Sequence, residues 1–477
     1  MNKKRYFCRA KLVLCFKNIM IESIAITNFY CFKEKTELSF VAGRERNRSL
    51  DDLYSGFTEQ SRVNLLRMVY LYGDNGAGKS KLLQAFETLQ ELVTEMRDDK
   101  TDRLPYHDFA LDPFSEEREP SEIEMVYHFD GKRYRYEIKW NERAILEENL
   151  WLLRVTTETR LFHRWYDMES RIVKVDFDRA IDIDDDTEYI IKTSLLRNNS
   201  VISAIANNNI YNKVLHDQLS FFRYGFELMD FHDIDLGDSL PDDHTPNSGR
   251  EERALKKVIL TLLRSIGSNI VNYEKVPLPK RMPSFLTSKM KNMSAEEREM
   301  FLEFMEMAPD YAVTTYHNVG VKRPLPLDLE DQSEGTKEIL RLVMCMHEAI
   351  SQHKTILLDD CINGIHPKTL EQLMKFYLGA SEDSQLIIAS QNFSNLDAAL
   401  VRRDSLRFVK KDKSGRSHVA QLALGDLHKN QNLRTQVENS ERWGVRPWIM
   451  DDVLEEAILD YRKKIGTENG FSFSELF

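Results

Sequence analysis

The stretch Tyr70-Leu71-Tyr72-Gly73-Asp74-Asn75-Gly76-Ala77-Gly78-Lys79-Ser80 decides the reading of this chain, because from Gly73 onward it spells G-x-x-x-x-G-K-S without a gap. Upstream, the largely apolar run Leu65 to Tyr72 predicts a buried strand. Downstream, Leu82, Leu83, Phe86, Leu89 and Val93 recur at helical spacing. A strand, a glycine-rich turn and a helix N-terminus make a phosphate cradle. The backbone N–H groups of Asp74 to Lys79 and the positive end of the helix dipole converge on one anion. Lys79 is placed to reach the β- and γ-phosphates of a nucleoside triphosphate, and the Ser80 hydroxyl to ligate Mg²⁺. The candidate binding residues are therefore Gly73, Asp74, Asn75, Gly76, Ala77, Gly78, Lys79 and Ser80.

Far downstream, Thr355-Ile356-Leu357-Leu358-Asp359-Asp360 predicts a second buried strand, ending in two carboxylates. This is the Walker B pattern, in which Asp359 holds Mg²⁺ through water opposite Ser80. About two dozen residues before it lies Asp331-Gln332-Ser333-Glu334-Gly335-Thr336-Lys337, opening a helix with Ile339, Leu340, Val343 and Met346 on one face. A hydroxyl residue and a glycine at a helix N-terminus form a second anion site, here Ser333, Gly335 and Thr336. Two phosphate-binding helix ends in one chain suggest head-to-tail sharing. Each ATP would then lie between the cradle of one protomer and the Ser333 helix of another, in a homodimer or a higher homo-oligomer.

Together, Gly73–Ser80, Ser333-Glu334-Gly335-Thr336, Leu357–Asp360 and Asn363-Gly364-Ile365-His366-Pro367 resemble the ABC-type ATPases. More narrowly, they resemble the bacterial AAA-family branch related to the structural-maintenance-of-chromosomes (SMC) and RecF proteins. That branch carries S-x-G-T in place of the transporter signature L-S-G-G-Q, and N-x-x-H-P just after Walker B. Ile24–Phe29, Pro120–Glu124, Tyr134–Glu137, Arg402-Arg403-Asp404 and Trp443–Pro447 are similar to the same branch, so the likeness runs from about Met20 to Trp448. The resemblance implies ATP and Mg²⁺ as cofactors. It also implies a role as the ATPase subunit of a phage-defence system, acting on a separate effector such as a nuclease or toxin.

Two departures from the family bear on chemistry. The residue after the Walker B aspartate is usually a glutamate that activates water; here it is Asp360, one methylene shorter. The later switch position usually holds histidine; here Leu386–Ser390 leads into Gln391. Misplacing a catalytic group by about 1 Å can cost on the order of 100-fold, and general-base help is worth roughly 10²–10⁴. With Asp360 and Gln391 as the catalytic candidates, slow turnover is expected, as in an ATP-gated clamp. An amide at 391 can still orient water, as glutamine does in some GTPases.

Composition sets the outer limits. The 477 residues are 42% hydrophobic and 30% charged, ordinary for a globular chain, and the net charge is −11. Non-specific nucleic-acid binding draws its energy from neutralised phosphates, so the acidic balance lends DNA binding no support, although a local basic face on a dimer stays open. Cys8, Cys15, Cys31, Cys345 and Cys361 form no C-x-x-C pair and are odd in number. They point to a reducing cytoplasm rather than a disulfide frame or zinc site. No apolar run approaches the ~18 residues of a membrane span.

The expected fold is an α/β, ABC-type P-loop NTPase with a mixed central sheet, an antiparallel β-meander and a helical insertion. Residues 1–19 form an N-terminal extension, basic around Leu12–Phe16, ahead of a natural start at Met20. Residues 20–175 make the first lobe, with the strand pair Ile21–Asn28 and Lys35–Val41, the cradle, and a meander whose Asp130-Gly131 is a hairpin signal. Residues 176–316 form a helical lid, interrupted by a polar loop over Asp233–Arg250. Residues 317–429 make the second lobe with signature, Walker B and switch. A tail, 430–477, holds a helix near Val453–Tyr461.

Other signals carry less. The acidic run Asp182–Asp186 matches a solvated face better than a metal site. His366 shapes the turn after Walker B and contacts a partner, His317 is structural, and Arg402, Arg403 and Arg407 face either a phosphate, a partner or plain solvent. No carboxylate cluster follows the second lobe to make a C-terminal Toprim nuclease. The leading expectation is a self-assembling regulatory ATPase controlling an effector. The alternatives are a DNA-clamping repair ATPase and, less in keeping with the S-x-G-T signature, the energising subunit of a transporter.

Overall fold

The computed structural model describes residues 19–43, 55–58, 63–111, 119–207, 210–242, 249–277, 311–397, 401–421, 433–438 and 456–461. The expected extension before Ile19 and the Trp443–Pro447 segment lie outside the described residues. In chain order the first elements are β1 (Met20–Thr27), β2 (Thr36–Ser39), β3 (Ser55–Thr58), β4 (Val63–Leu66), β5 (Met68–Tyr72) and α1 (Lys79–Thr94). Five strands follow: β6 (Ser121–Phe129), β7 (Lys132–Trp140), β8 (Ile145–Leu153), β9 (Glu158–Asp167) and β10 (Ile172–Phe177). Next come α2 (Asp185–Ser194), α3 (Val201–Asn207), α4 (Lys213–Tyr224), β11 (Phe226–Met229), α5 (Leu236–Ser239), α6 (Arg250–Ser265) and β12 (Ile270–Pro277). The rest are β13 (Tyr311–His317), β14 (Leu325–Asp328), α7 (Glu334–Ser351), β15 (Thr355–Leu358), α8 (Pro367–Ala380), β16 (Gln385–Ser390), β17 (Leu406–Lys411), β18 (Ser417–Gln421) and α9 (Leu433–Glu438).

Two large sheets share one apolar core. The antiparallel sheet runs β10-β9-β8-β7-β6-β1-β2. Its strands alternate as a half-covered sheet should: on β7, Tyr134, Tyr136, Ile138 and Trp140 are buried while Lys132 is exposed. Asp130 and Gly131 both take positive φ, 48° and 71°, the tight-turn geometry that suits the right-handed twist of a hairpin. The central sheet runs β11-β15-β16-β5-β17-β18, parallel from β11 to β17 and antiparallel at β18. Strands β5, β15 and β16 are buried along their whole length, which explains their unbroken apolar sequences. Gln385 ties the sheets together: its amide donates to the carbonyls of Ile21 and Leu66 and accepts from the Ile21 N–H at 2.6 Å.

Several expectations needed tertiary correction. The run Leu65–Tyr72 is not one strand; it breaks at Arg67, which is buried with its guanidinium donating to the Ser381 carbonyl. The described residues of 176–316 hold four helices of seven residues or more, but also β11, which joins the edge of the central sheet beside β15, and β12, which pairs with β13. Phe226 of β11 meets Phe86 of α1 edge-to-face at 5.8 Å, and Lys354 reaches Glu227 of β11 (2.5 Å) and Glu348 (2.7 Å) in a nearly closed triad. The acidic run starts a helix: Asp184 caps α2 by accepting from the Thr187 N–H. Arg402 and Arg407 are buried, not surface or phosphate-facing. Arg402 grips Asp404 and the Gly43 carbonyl, and Arg407 donates to the Ser39 carbonyl, pinning the end of β2 to β17. Residues 456–461 are helical, within the tail helix expected near Val453–Tyr461. Among the described residues no helix is long and apolar enough to cross a membrane.

Candidate nucleotide site

The ends of β5, β16 and β15 share one edge of the central sheet, with β16 between the other two. In open parallel sheets this carboxyl edge is where ligands bind. Tyr72 lies opposite Ser390 and Phe408, so the chain leaves β5 at Gly73 beside the segment that follows β16. A Cβ at Gly73 would sit 2.6 Å from the Val409 carbonyl oxygen, so the strand can turn there only with glycine. Gly78 has φ 111°, and a Cβ on it would meet the Cys31 Sγ at 2.6 Å.

The loop is gripped from two sides. Ser417 donates its hydroxyl to the Ala77 carbonyl (2.6 Å) and its N–H to the Cys31 carbonyl (2.7 Å), while Lys411 reaches the Gly76 carbonyl at 3.3 Å. Helix α1 begins at Lys79 with no side chain capping it, and its first turn-to-turn bond is from the Leu82 N–H to the Gly78 carbonyl. The donors of an uncapped first turn are those an anion takes up.

Lys79 is buried, with Nζ donating to the carbonyls of Gly73 (2.8 Å) and Asp74 (3.2 Å). Burial lowers its pKa, opposed by the carboxylates of Asp360, Asp359 and Asp74, all close enough to act on it. Asp359 is pushed up by burial and held down by a hydrogen bond from Ser80. Residues 279 positions apart in the chain thus come into direct contact, and they are the two expected metal ligands, Ser80 and Asp359. The Asp359 Oδ1 is buried and without a hydrogen-bond partner. A hydroxyl and an unsatisfied carboxylate oxygen side by side suit a hard, oxygen-seeking ion such as Mg²⁺. No group of three or more His, Cys, Asp or Glu gathers among the described residues, so such an ion would complete its shell with water and phosphate oxygens. Bound with a nucleotide, it would neutralise charge on the phosphates.

Asp360 points outward from the same strand end. It is exposed, has φ 49°, and its N–H donates to the Ala389 carbonyl at 3.1 Å. Asparagine 363 links it to the switch region: its Nδ2 approaches Asp360 Oδ1 at 3.4 Å, its Oδ1 accepts from the Ser390 hydroxyl at 3.0 Å, and its carbonyl accepts from Asn392 Nδ2 at 2.8 Å. Gln391 lies between these two anchors, half-buried, at the sheet edge next to Gly73. Sequence reasoning missed Ser390 and Asn392. Asn363 sits 27 and 29 residues from them, and no periodic signal marks such a pairing. His366 caps α8 by accepting from the Lys368 N–H, with Pro367 in the first turn.

The third group of expected residues stands apart. Ser333 caps α7, its hydroxyl accepting from the Thr336 N–H at 3.3 Å and lying 2.9 Å from the Thr336 hydroxyl. Gly335 has nothing within 4 Å of where a Cβ would be. Among the described residues, no hydrogen bond or ion pair joins Ser333, Gly335 or Thr336 to Gly73–Ser80.

Comparison with known proteins gives the family. Residues 68–397 match a family profile described as "AAA domain, putative AbiEii toxin, Type IV TA system". No curated protein matches the chain. Among solved structures, the SMC head domain from Thermotoga maritima is similar at 13% identity and a TM-score of 0.39, over 85% of this chain and 99% of that one. An SMC head bound to the C-terminal winged-helix domain of ScpA is similar at 14% identity and a TM-score of 0.40, over 85% and 98%. The matched span covers both the glycine loop and the Asp359 strand, and the chain belongs to this AAA-domain family.

Proposed function

We propose that the protein is a self-assembling regulatory ATPase that binds Mg-ATP at Gly73–Ser80 and Asp359, hydrolyses it slowly and thereby controls a separate effector. The observation that carries the assembly is Gly335. Glycine in a helix costs roughly 0.5–1 kcal/mol relative to alanine, and nothing among the described residues needs the missing side chain. Its smallness then serves something outside the chain, and an exposed helix N-terminus, capped by the solvent-facing Ser333, suits the phosphates of a partner's ATP. Ser333 and Thr336 would supply hydroxyls there. Asp360 would orient the attacking water, and its short, outward-turned side chain favours a long-lived closed state. Gln391, beside the glycine loop, would face the γ-phosphate.

The family description names a toxin and a toxin–antitoxin setting. Together with the S-x-G-T and N-x-x-H-P motifs, it supports an antiphage role with a nuclease or toxin as the effector, in the cytoplasm. The test mixes two disabled chains. Lys79→Ala alone removes the cradle's cation and should abolish binding of labelled ATP. Gly335→Asp alone should bind ATP but not hydrolyse it. Mixed, they should recover about one sound composite site per dimer. With subunit exchange confirmed, no recovery would rule out head-to-tail sharing.

A further inference from the structure

We propose that Gln332 is a positioning residue: it fixes the start of α7 against the β12–β13–β14 sheet, and so sets where Ser333 and Gly335 meet the partner's ATP. The inference rests on the head-to-tail reading above.

Strand β13 is the middle of its three-stranded sheet, paired with β12 on one side and β14 on the other. Gln332 immediately precedes Ser333, and its Nε2 donates to Thr315 Oγ1 at 2.8 Å and lies 2.9 Å from His317 Nε2. Thr315 Oγ1 and His317 Nε2 also lie 3.0 Å apart, so the three side chains form one cluster. The Thr315 hydroxyl hydrogen goes to the Leu327 carbonyl at 2.7 Å, so Oγ1 can only accept from Gln332. His317 Nδ1 faces Asn269 Oδ1 at 2.7 Å and donates to it, which leaves Nε2 as an acceptor for the same amide. Thr315 is 2% exposed, so losing the amide would take a donor from a buried oxygen that otherwise faces the Leu327 carbonyl and His317 Nε2.

One continuous path thus runs from Asn269, at the turn between α6 and β12, through His317 to the residue before the signature. The signature end of α7 is positioned by the inserted sheet rather than by its own glycine loop. Gln332 makes no contact with that loop, so cutting the path should spare a chain's hold on its own ATP and weaken only its grip on a neighbour's.

The experiment uses the full chain and reads two quantities: affinity for labelled ATP at dilutions where the chain is monomeric, and Mg-ATP-driven self-association by sedimentation velocity. Gln332→Leu should leave the first unchanged and weaken the second by about 10-fold or more, the scale of one or two lost hydrogen bonds. His317→Leu should behave alike, whereas His317→Gln, which restores an acceptor facing Gln332, should retain association. If Gln332→Leu does not fold, the His317 pair decides. Parent-like association of Gln332→Leu while Gly335→Asp fails to associate would overturn the positioning role. So would a His317→Gln variant as weak as His317→Leu. Parent-like association of Gly335→Asp would overturn the head-to-tail reading and this proposal with it.

Discussion

Gly73 and Gly335 both belong to helix ends proposed to bind phosphate, yet their surroundings are opposite. Gly73 is pressed against the Val409 carbonyl, and its loop is held by Cys31, Ser417 and Lys411 of the same chain. Gly335 opens onto empty space, beside an exposed Ser333. The first glycine answers a constraint within the fold, whereas the second answers none among the described residues. In the proposed ATP site, one end would therefore be finished by this chain and the other by a second copy.

Four substitutions would break or sharpen that contrast. At the finished end, Asp359→Ala removes the carboxylate that contacts Ser80. Loss of metal-assisted charge neutralisation is worth several kcal/mol, so steady-state phosphate release at saturating Mg-ATP should fall by at least about 100-fold. A milder drop would mean that the metal is held elsewhere.

Asp360→Glu should act in the other direction. It lengthens the proposed water-orienting group and should raise turnover about 10-fold. The left-handed φ of 49° suits Asp better than Glu, so the same variant should melt at a slightly lower temperature, by on the order of 1 kcal/mol. A parent enzyme that already turns over several times per second would remove the reason for the expected gain, and the clamp with it.

The glycine pair tests the contrast itself. Gly73→Ala should destabilise the isolated chain by roughly 1–3 kcal/mol through overpacking, read by chemical denaturation without nucleotide. Gly335→Ala should do the opposite, stabilising the isolated chain by up to about 1 kcal/mol while weakening Mg-ATP-driven association. If both substitutions destabilise the monomer alike, Gly335 has a partner inside the chain and the comparison fails.

Much of the candidate site was legible in the sequence because its parts are local. A glycine loop between a strand and a helix, two carboxylates after an apolar run and a hydroxyl capping a helix each fit within a dozen residues. The meander was legible for the same reason, through alternation and the Asp130-Gly131 turn. What escaped was pairing over distance. β11 is a four-residue strand with no period of its own, made by its match to β15. The Leu65–Tyr72 run concealed Arg67, whose charge is tolerated only because the Ser381 carbonyl meets it. Arg402 and Arg407 look like surface residues until Asp404 and the carbonyls of Gly43 and Ser39 close around them.

By itself, then, the sequence determined which residues are proposed to carry the phosphate and metal chemistry, since residue type and short spacing set the local backbone donors and the helix end they sit on. The tertiary structure decided the rest: that Ser80 touches Asp359, that Asn363 ties Asp360 to the switch, and that Ser333 stands away from its own glycine loop. Those contacts join segments tens to hundreds of residues apart. They exist only because strand order in the central sheet brings three strand ends to one edge, and no local pattern encodes that order.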